Sequence, residues 1–220
     1  MADRRALARA VVRRHGRTFA EDAGIRLEDK PGPLYQLSVL ALLLSARISS
    51  RIAVAAATEL FRDGLRSARA MAEATWQRRV DDLGRGHYRR YDERTSSQLG
   101  DGARLLLDHW RGDLRRLHER AGGDVDRLRA GLKELPGIGD TGADLFLREA
   151  QVVWPDLRPF VDNRAARGAA EIGLPTEPDE LARLVPDRDL PRLVVGLVRV
   201  SLDRSAAEKL RGEYLHRARA

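Results

Sequence analysis

Apolar residues recur along the chain at the three- and four-residue spacing of amphipathic helices. Leu128 and Leu132 form one such stripe, and Leu181, Leu184 and Val185 form another. The alternation of β-branched with polar residues that is typical of strands is rare, while alanine, leucine and arginine dominate. The pattern therefore predicts an all-α protein.

Capping residues and breaks divide this pattern into roughly ten short helices with short connections. Thr75, Asp124 and Thr176 each precede a helical stretch as candidate N-cap residues. The longest apolar run, from Leu34 to Ala46, falls short of the ~20 residues of a membrane helix and predicts a buried helix instead. Proline- and glycine-rich breaks fall at 31–33, 84–86, 122–123, 136–137 and 155–159.

The composition excludes several kinds of chemistry. The 220 residues include no cysteine, which rules out disulfides, thiolate zinc sites, cysteine-ligated iron–sulfur clusters and cysteine nucleophiles. Histidines form no His-x-x-x-His pair, and neither a Walker loop nor a Gly-x-Ser-x-Gly elbow occurs. We therefore expect no metal site, no nucleotide hydrolysis and no serine hydrolase chemistry.

The charge balance favours a polyanionic partner. Lys and Arg number 40 against 33 Asp and Glu, a net charge of +7, and all but three of the basic residues are arginine. The alternative is a soluble protein with a modest excess of basic residues and no polyanionic partner. The N-terminal segment has no apolar signal core, so we expect a cytoplasmic protein without a membrane partner.

One segment, residues 135–150, carries an unusual turn between two helices. Gly137 and Gly139 flank the apolar Ile138, which allows a sharp turn and leaves backbone amides uncovered at the start of the second helix. Such amides, together with the helix dipole, favour a phosphate group. A tight helix–helix turn without any ligand is the alternative interpretation.

This hairpin resembles the helix-hairpin-helix of the endonuclease III superfamily of DNA glycosylases. Three other segments match the family in the right order, so that the resemblance covers roughly residues 34–175. The four matching segments are Leu-Pro-Gly-Ile-Gly at 135–139, Phe-Val-Asp-Asn-Arg at 160–164, Leu-Leu-Ser-Ala-Arg at 43–47, and Leu83-Gly84 with Tyr91 and Arg94-Thr95. The hairpin of the family grips the DNA backbone independently of sequence.

The resemblance implies a catalytic role for Asp162. A carboxylate at this position stabilises the oxocarbenium-like sugar and orients water when the glycosidic bond breaks. The alternative is that Asp162 only caps the helix that starts at Asn163. Arg164 stands where the family has a histidine, so that the charge around Asp162 differs from the family's.

Thr141 stands where bifunctional members of the family carry the lysine that forms a Schiff base. A threonine hydroxyl cannot form an imine, so we expect a monofunctional glycosylase without abasic-site lyase activity. A chain that has lost the chemistry and only binds damaged or branched DNA is the alternative. A protein-interaction domain is a third possibility.

Cofactors are expected to be absent. Many members of the family bind a [4Fe–4S] cluster through four cysteines near the C-terminus, so this chain would be a cluster-free relative. The packing of residues 190–217 would then replace the cluster, with an apolar stripe running from Leu193 to Leu202. The resemblance also implies a monovalent cation held by carbonyls of the hairpin.

Several arginines are candidates for DNA contact. Arg47 replaces a glutamine that, in the family, fills the space left by a flipped base, although it could also be a surface arginine at a solvated helix end. A basic and aromatic loop is suited to phosphates and an unstacked base, or else is a solvated face. This loop contains Arg85, Arg89, Arg90 and Arg94, interleaved with His87, Tyr88 and Tyr91.

Taken together, the sequence predicts two helical subdomains of an endonuclease III-like fold. Residues 34–150 would form the helical barrel with the hairpin, and residues 1–33 with 151–220 the second subdomain, which carries Asp162. The predicted function is excision of a damaged or mismatched base from double-stranded DNA. DNA would be contacted by Gly137, Ile138, Gly139, Thr141 and the arginines named above. We expect a nucleoid-associated monomer. No residue of the sequence indicates which base is excised.

Overall fold

The computed structural model describes residues 2–217, and the side chains of residues 3–213. This part of the chain folds into α-helices, two short 3-10 turns and no strand, so the predicted all-α fold is confirmed. The helices are α1 (Ala2–His15), α2 (Phe19–Asp22), α3 (Pro31–Ser45), α4 (Ser50–Arg62), α5 (Ala68–Glu73), α6 (Trp76–Arg85), α7 (Asp92–Trp110), α8 (Leu114–Ala121), α9 (Val125–Lys133), α10 (Asp140–Ala150), α11 (Asn163–Glu171), α12 (Pro178–Ala182), α13 (Leu190–Leu202) and α14 (Arg204–Arg217). The structure has more helices than the roughly ten predicted, partly because α2, α5 and α12 are too short to show a periodic apolar stripe in the sequence.

The chain forms two compact units whose boundaries differ from the predicted ones. Residues Ala20–Asp156 form the hairpin unit, and residues up to Phe19 together with those from Leu157 onward form the terminal unit. Residues 20–33 and 151–156 therefore belong with the hairpin, not with the second subdomain. Their polar contacts give the reason: the backbone N–H of Ala20 donates to Glu149 at 2.7 Å, and the indole N–H of Trp154 donates to Asp29 at 2.9 Å.

Helix α3 lies at the centre of the hairpin unit. Its residues from Leu34 to Leu43 are buried on every side except at Gln36, as predicted for this apolar run, and Pro31 and Pro33 stand in its first turn, where no helical N–H is needed. It packs against α4, α8 and α10. No helix among residues 2–217 is long and apolar enough to cross a membrane.

The N-caps largely follow the sequence. The Thr75 hydroxyl accepts from the Arg78 N–H at 3.1 Å, and the Asp124 carboxylate accepts from the N–H groups of Asp126 and Arg127 at 3.0 Å. Thr176 does not cap its helix, because α12 begins two residues later at Pro178.

The terminal unit is built on close approaches at two glycines. A Cβ at Gly168 of α11 would stand 2.0 Å from the carbonyl oxygen of Leu197, and one at Gly196 of α13 would stand 2.7 Å from Val11 of α1. Helix α13 therefore packs tightly against both α1 and α11. Its apolar stripe is buried as far as Val200, but Leu202, predicted to belong to it, is 55% exposed.

A buried arginine joins the three helices α5, α6 and α7. Arg79 of α6 donates to the carbonyls of Met71 and Ala74 at the end of α5 and to the carbonyl of Ser96 in α7, at 2.7–2.9 Å. Gly100 makes room for it, since a Cβ there would lie 2.7 Å from the guanidinium. Burial lowers the pKa of Arg79. Nothing in the sequence pattern marked this residue, which lies in an arginine-rich helix.

We expect Arg79→Met to lower the free energy of unfolding by about 3 kcal/mol, because the buried carbonyls lose their donor. Chemical denaturation measures the change. Arg78→Met is the matched control on the same helix. Arg78 pairs with Asp63 at the surface, so its loss should cost less than about 1 kcal/mol. Equal losses for the two variants would contradict the role given to Arg79.

Candidate nucleic-acid interface

The hairpin turn has the predicted form. It connects the end of α9 at Lys133 to the start of α10 at Asp140. Ile138 is buried between exposed Gly137 and Gly139. Gly137 has a φ of +88°, a left-handed conformation that disfavours any residue with a Cβ. Gly139 stands before the first residue of α10, and a Cβ there would meet nothing within 4 Å, so the side chains leave this helix start open.

Helix α10 packs against α3, and Gly142 lies at this contact. A Cβ at position 142 would stand 3.2 Å from Cγ2 of Ile138 and 3.7 Å from Cβ of Ser45, the last residue of α3. The contact places the hairpin next to the loop that follows α3. That loop carries Arg47.

Three of the four sequence landmarks meet around one open cleft of about 390 Å³ in the hairpin unit. The end of α3, the start of α7 with the loop before it, and the hairpin each contribute to the lining. The lining residues are Leu42, Ser45, Ala46, Arg47, Tyr88, Tyr91, Arg94, Thr95, Gln98 and Gly137. Most of these residues lie in three separate sequence motifs that the fold brings together, whereas Leu42 and Gln98 belong to none of the motifs.

The two arginines of the cleft are exposed, and neither makes a hydrogen bond or an ion pair with any residue of the described chain. Arg47 lies in the loop after α3, and Arg94 lies in the first turn of α7. Other arginines of the same unit are engaged, for example Arg104 with Asp101 at 2.6 Å and Arg115 with Asp113 at 2.7 Å. The cleft lining includes no carboxylate. The positive charges of Arg47 and Arg94 are thus available to an anion.

The aromatic residues of the cleft are held in place. Thr95 donates to the Tyr88 hydroxyl at 3.3 Å, and burial raises the pKa of Tyr88. The Arg90 guanidinium stacks 5.2 Å over the Tyr91 ring. His87, with a φ of +63°, turns the loop that leads into them.

The basic loop divides into residues at the cleft and residues away from it. Arg94 lines the cleft, whereas Arg85, Arg89 and Arg90 do not. Arg85 bonds to the buried carboxylate of Asp82 and lies 3.8 Å from Glu59, so its charge is largely compensated. The position of Arg85 therefore does not support its predicted contact with DNA. Arg89 and Arg90 are exposed, and their contact with DNA stays a prediction.

An ion pair offsets the acidic residue at the hairpin. Asp140 stands in the first turn of α10, where a phosphate would be repelled, and Lys133 donates to it at 2.6 Å. This hydrogen bond lowers the pKa of Asp140. Nothing in the sequence pattern marked Lys133 as the partner of Asp140, because the two residues lie on different helices. Thr141 is exposed beside Asp140.

Asp162 lies in the terminal unit and caps α11. One of its carboxylate oxygens accepts from the N–H groups of Arg164 at 2.8 Å and Ala165 at 3.0 Å, and the residue is 7% exposed. The capping interpretation is therefore correct, and it is compatible with the catalytic one, which stays a prediction. The Arg164 contact is made by the backbone, and the residue is exposed.

Within the side chains that the structure describes, no group of three or more histidines and carboxylates could hold a metal ion. A monovalent cation at the hairpin carbonyls stays a prediction from the family resemblance.

Comparisons with known proteins give structural similarity only. No family model matches the chain, and no curated protein matches it. One similar solved structure is a trapped endonuclease III–DNA covalent intermediate in an estranged-adenine complex, with 17% identity over 82% of this chain and 81% of that chain and a TM-score of 0.48. A second is a non-covalent endonuclease III–DNA complex, with 16% identity over 82% and 80% of the two chains and the same TM-score, 0.48.

We expect Arg94→Gln to weaken binding of duplex DNA about fivefold to tenfold at low salt and to reduce the salt dependence of log K by about one phosphate contact. Arg47→Gln should act in the same direction. Fluorescence anisotropy at several salt concentrations measures both effects. Arg104→Gln is the control on the same helix, because Arg104 already pairs with Asp101. If Arg104→Gln weakens DNA binding as much as Arg94→Gln does, the cleft is not part of the DNA interface.

Proposed function

We propose that this protein binds double-stranded DNA through the hairpin and the cleft and excises a damaged or mismatched base as a monofunctional DNA glycosylase. One observation carries the proposal. Three motifs that are distant in sequence converge on a single cleft in which two arginines have no partner within the described chain. The cytoplasmic, nucleoid-associated location and the monomeric state remain predictions.

The cleft and the hairpin supply complementary parts of a DNA interface. The amides at the start of α10 suit a backbone phosphate, and the guanidinium groups of Arg47 and Arg94 add positive charge beside it. The volume of the cleft lies in the range of small-molecule sites, about 300–1,000 Å³. A base has to leave the duplex stack before an enzyme can act on it, and the half-buried ring of Tyr91 favours an unstacked base, while Tyr88 is buried beside it.

The proposed reaction is hydrolysis of the glycosidic bond. The bond between C1′ and the base nitrogen breaks, the base leaves with the bonding electrons and takes up a proton, and water adds to C1′. Asp162 would stabilise the developing positive charge on the sugar and accept a proton from the attacking water. Two backbone N–H groups fix the orientation of its carboxylate. Thr141 offers no amine, so no imine forms there.

We expect the protein to create alkali-labile sites in at least one duplex of a lesion panel that contains uracil, 8-oxoguanine mispairs, thymine glycol, alkylated purines and crosslinks. Asp162→Asn should slow this release about a hundredfold or more, because the carboxylate charge is lost at the sugar. Borohydride should trap no covalent adduct. A trapped adduct would contradict the role given to Thr141.

Asp124→Asn is the matched control for this test. Asp124 caps α9 through two backbone N–H groups, as Asp162 caps α11. Because asparagine caps a helix about as well as aspartate, both variants should keep their stability. Only the Asp162 variant should lose base release.

The remaining outcomes identify the alternatives. Binding that is unaffected by Asp162→Asn, with no base released from any duplex, would indicate a non-catalytic helix-hairpin-helix protein that recognises damaged or branched DNA. Salt-insensitive binding to a protein, without affinity for DNA, would indicate a protein-interaction domain.

A further inference from the structure

Gln98 occupies the point where α7 meets the hairpin turn. It lies one helical turn after Arg94, is half-buried, and lines the cleft together with Arg47 and Gly137. A Cβ at position 137 would stand 2.8 Å from both Cδ and Oε1 of Gln98. The carboxamide therefore rests against the bare α-carbon of Gly137, which restricts its movement on that side.

The hydrogen-bonding groups of this carboxamide have no partner among the described residues. Two neighbouring hydroxyls of the cleft donate inside the protein, Ser45 to the carbonyl of Leu42 at 2.7 Å and Thr95 to Tyr88, whereas the Tyr91 hydroxyl has no partner among the described residues. Among the lining side chains, Gln98 differs from Arg47 and Arg94 in that its amide both donates and accepts, whereas a guanidinium only donates.

We infer that Gln98 determines specificity in the cleft by hydrogen-bonding through its amide to an edge of a neutral base that enters. The inference rests on the proposed function. A glutamine amide matches a base edge that presents a donor next to an acceptor. The positive charges of Arg47 and Arg94, with no carboxylate in the lining, disfavour a cationic base.

The inference is tested by equilibrium binding to three duplexes that differ only at one position opposite thymine. The position holds N7-methylguanine, which is cationic, its neutral analogue 7-deaza-7-methylguanine, or an abasic tetrahydrofuran, which has no base edge. All proteins carry Asp162→Asn so that no base is released during the measurement. Binding therefore reports on Gln98 independently of catalysis.

With Gln98 intact, the neutral base should bind more tightly than the cationic one. Gln98→Met keeps a side chain of similar length against Gly137 but removes the hydrogen bonds. It should lower affinity for the neutral base about tenfold while leaving the abasic duplex unchanged. Gln98→Glu adds one negative charge to a lining that holds two arginines, so it should narrow the preference for the neutral base over the cationic one.

The control is Gln77→Glu, which adds the same charge at an exposed position of α6 outside the cleft. It should leave the neutral-to-cationic ratio unchanged. If Gln98 only supports the turn, its variants weaken all three duplexes equally and the ratio does not move, which overturns the inference while the proposed function stands. If none of the duplexes is bound, the proposed function fails and the inference fails with it.

Discussion

The contact of α10 with α3 is the constraint on which the candidate site depends. Helix α3 is buried along its length, so the position of its end is fixed by the core, and α10 packs against it with Gly142 facing Ile138 and Ser45. The hairpin and the loop after α3 are therefore held on one side of the hairpin unit. Arg79 fixes α7, the third contributor, by tying it to the end of α5.

The positions of the charged residues say more about a binding site than the net charge of the chain does. Arg85 bonds to Asp82, and Lys133 pairs with Asp140. The exposed pair of Lys133 with Asp140 contributes little to stability, but both pairs reduce the positive charge that a partner meets. At the cleft the opposite holds, because Arg47 and Arg94 meet no carboxylate in the lining. A net charge of +7 is modest for the whole chain, but it includes two unpaired charges at one site.

Helical periodicity predicted the all-α fold, the buried helix α3 and the caps at Thr75 and Asp124, because each depends on residues close in sequence. The hairpin was predictable for the same reason, since the conformation of Gly137 and the burial of Ile138 follow from the local motif. The cleft was not, because it depends on how α3, α7 and the hairpin pack. No sequence pattern distinguished Gln98 from the other polar residues of α7. Arg85 and Arg94 were equal candidates for DNA contact in the sequence, and only the structure shows that Arg85 bonds to Asp82.

The most direct test of the account is a crystal structure of the Asp162→Asn variant bound to a duplex with one damaged or mismatched base. The account predicts an extrahelical nucleotide in the cleft, with Arg47 and Arg94 in contact with the DNA and a phosphate at the amides that begin α10. A duplex bound on another surface, with the cleft and the hairpin away from DNA, would contradict it.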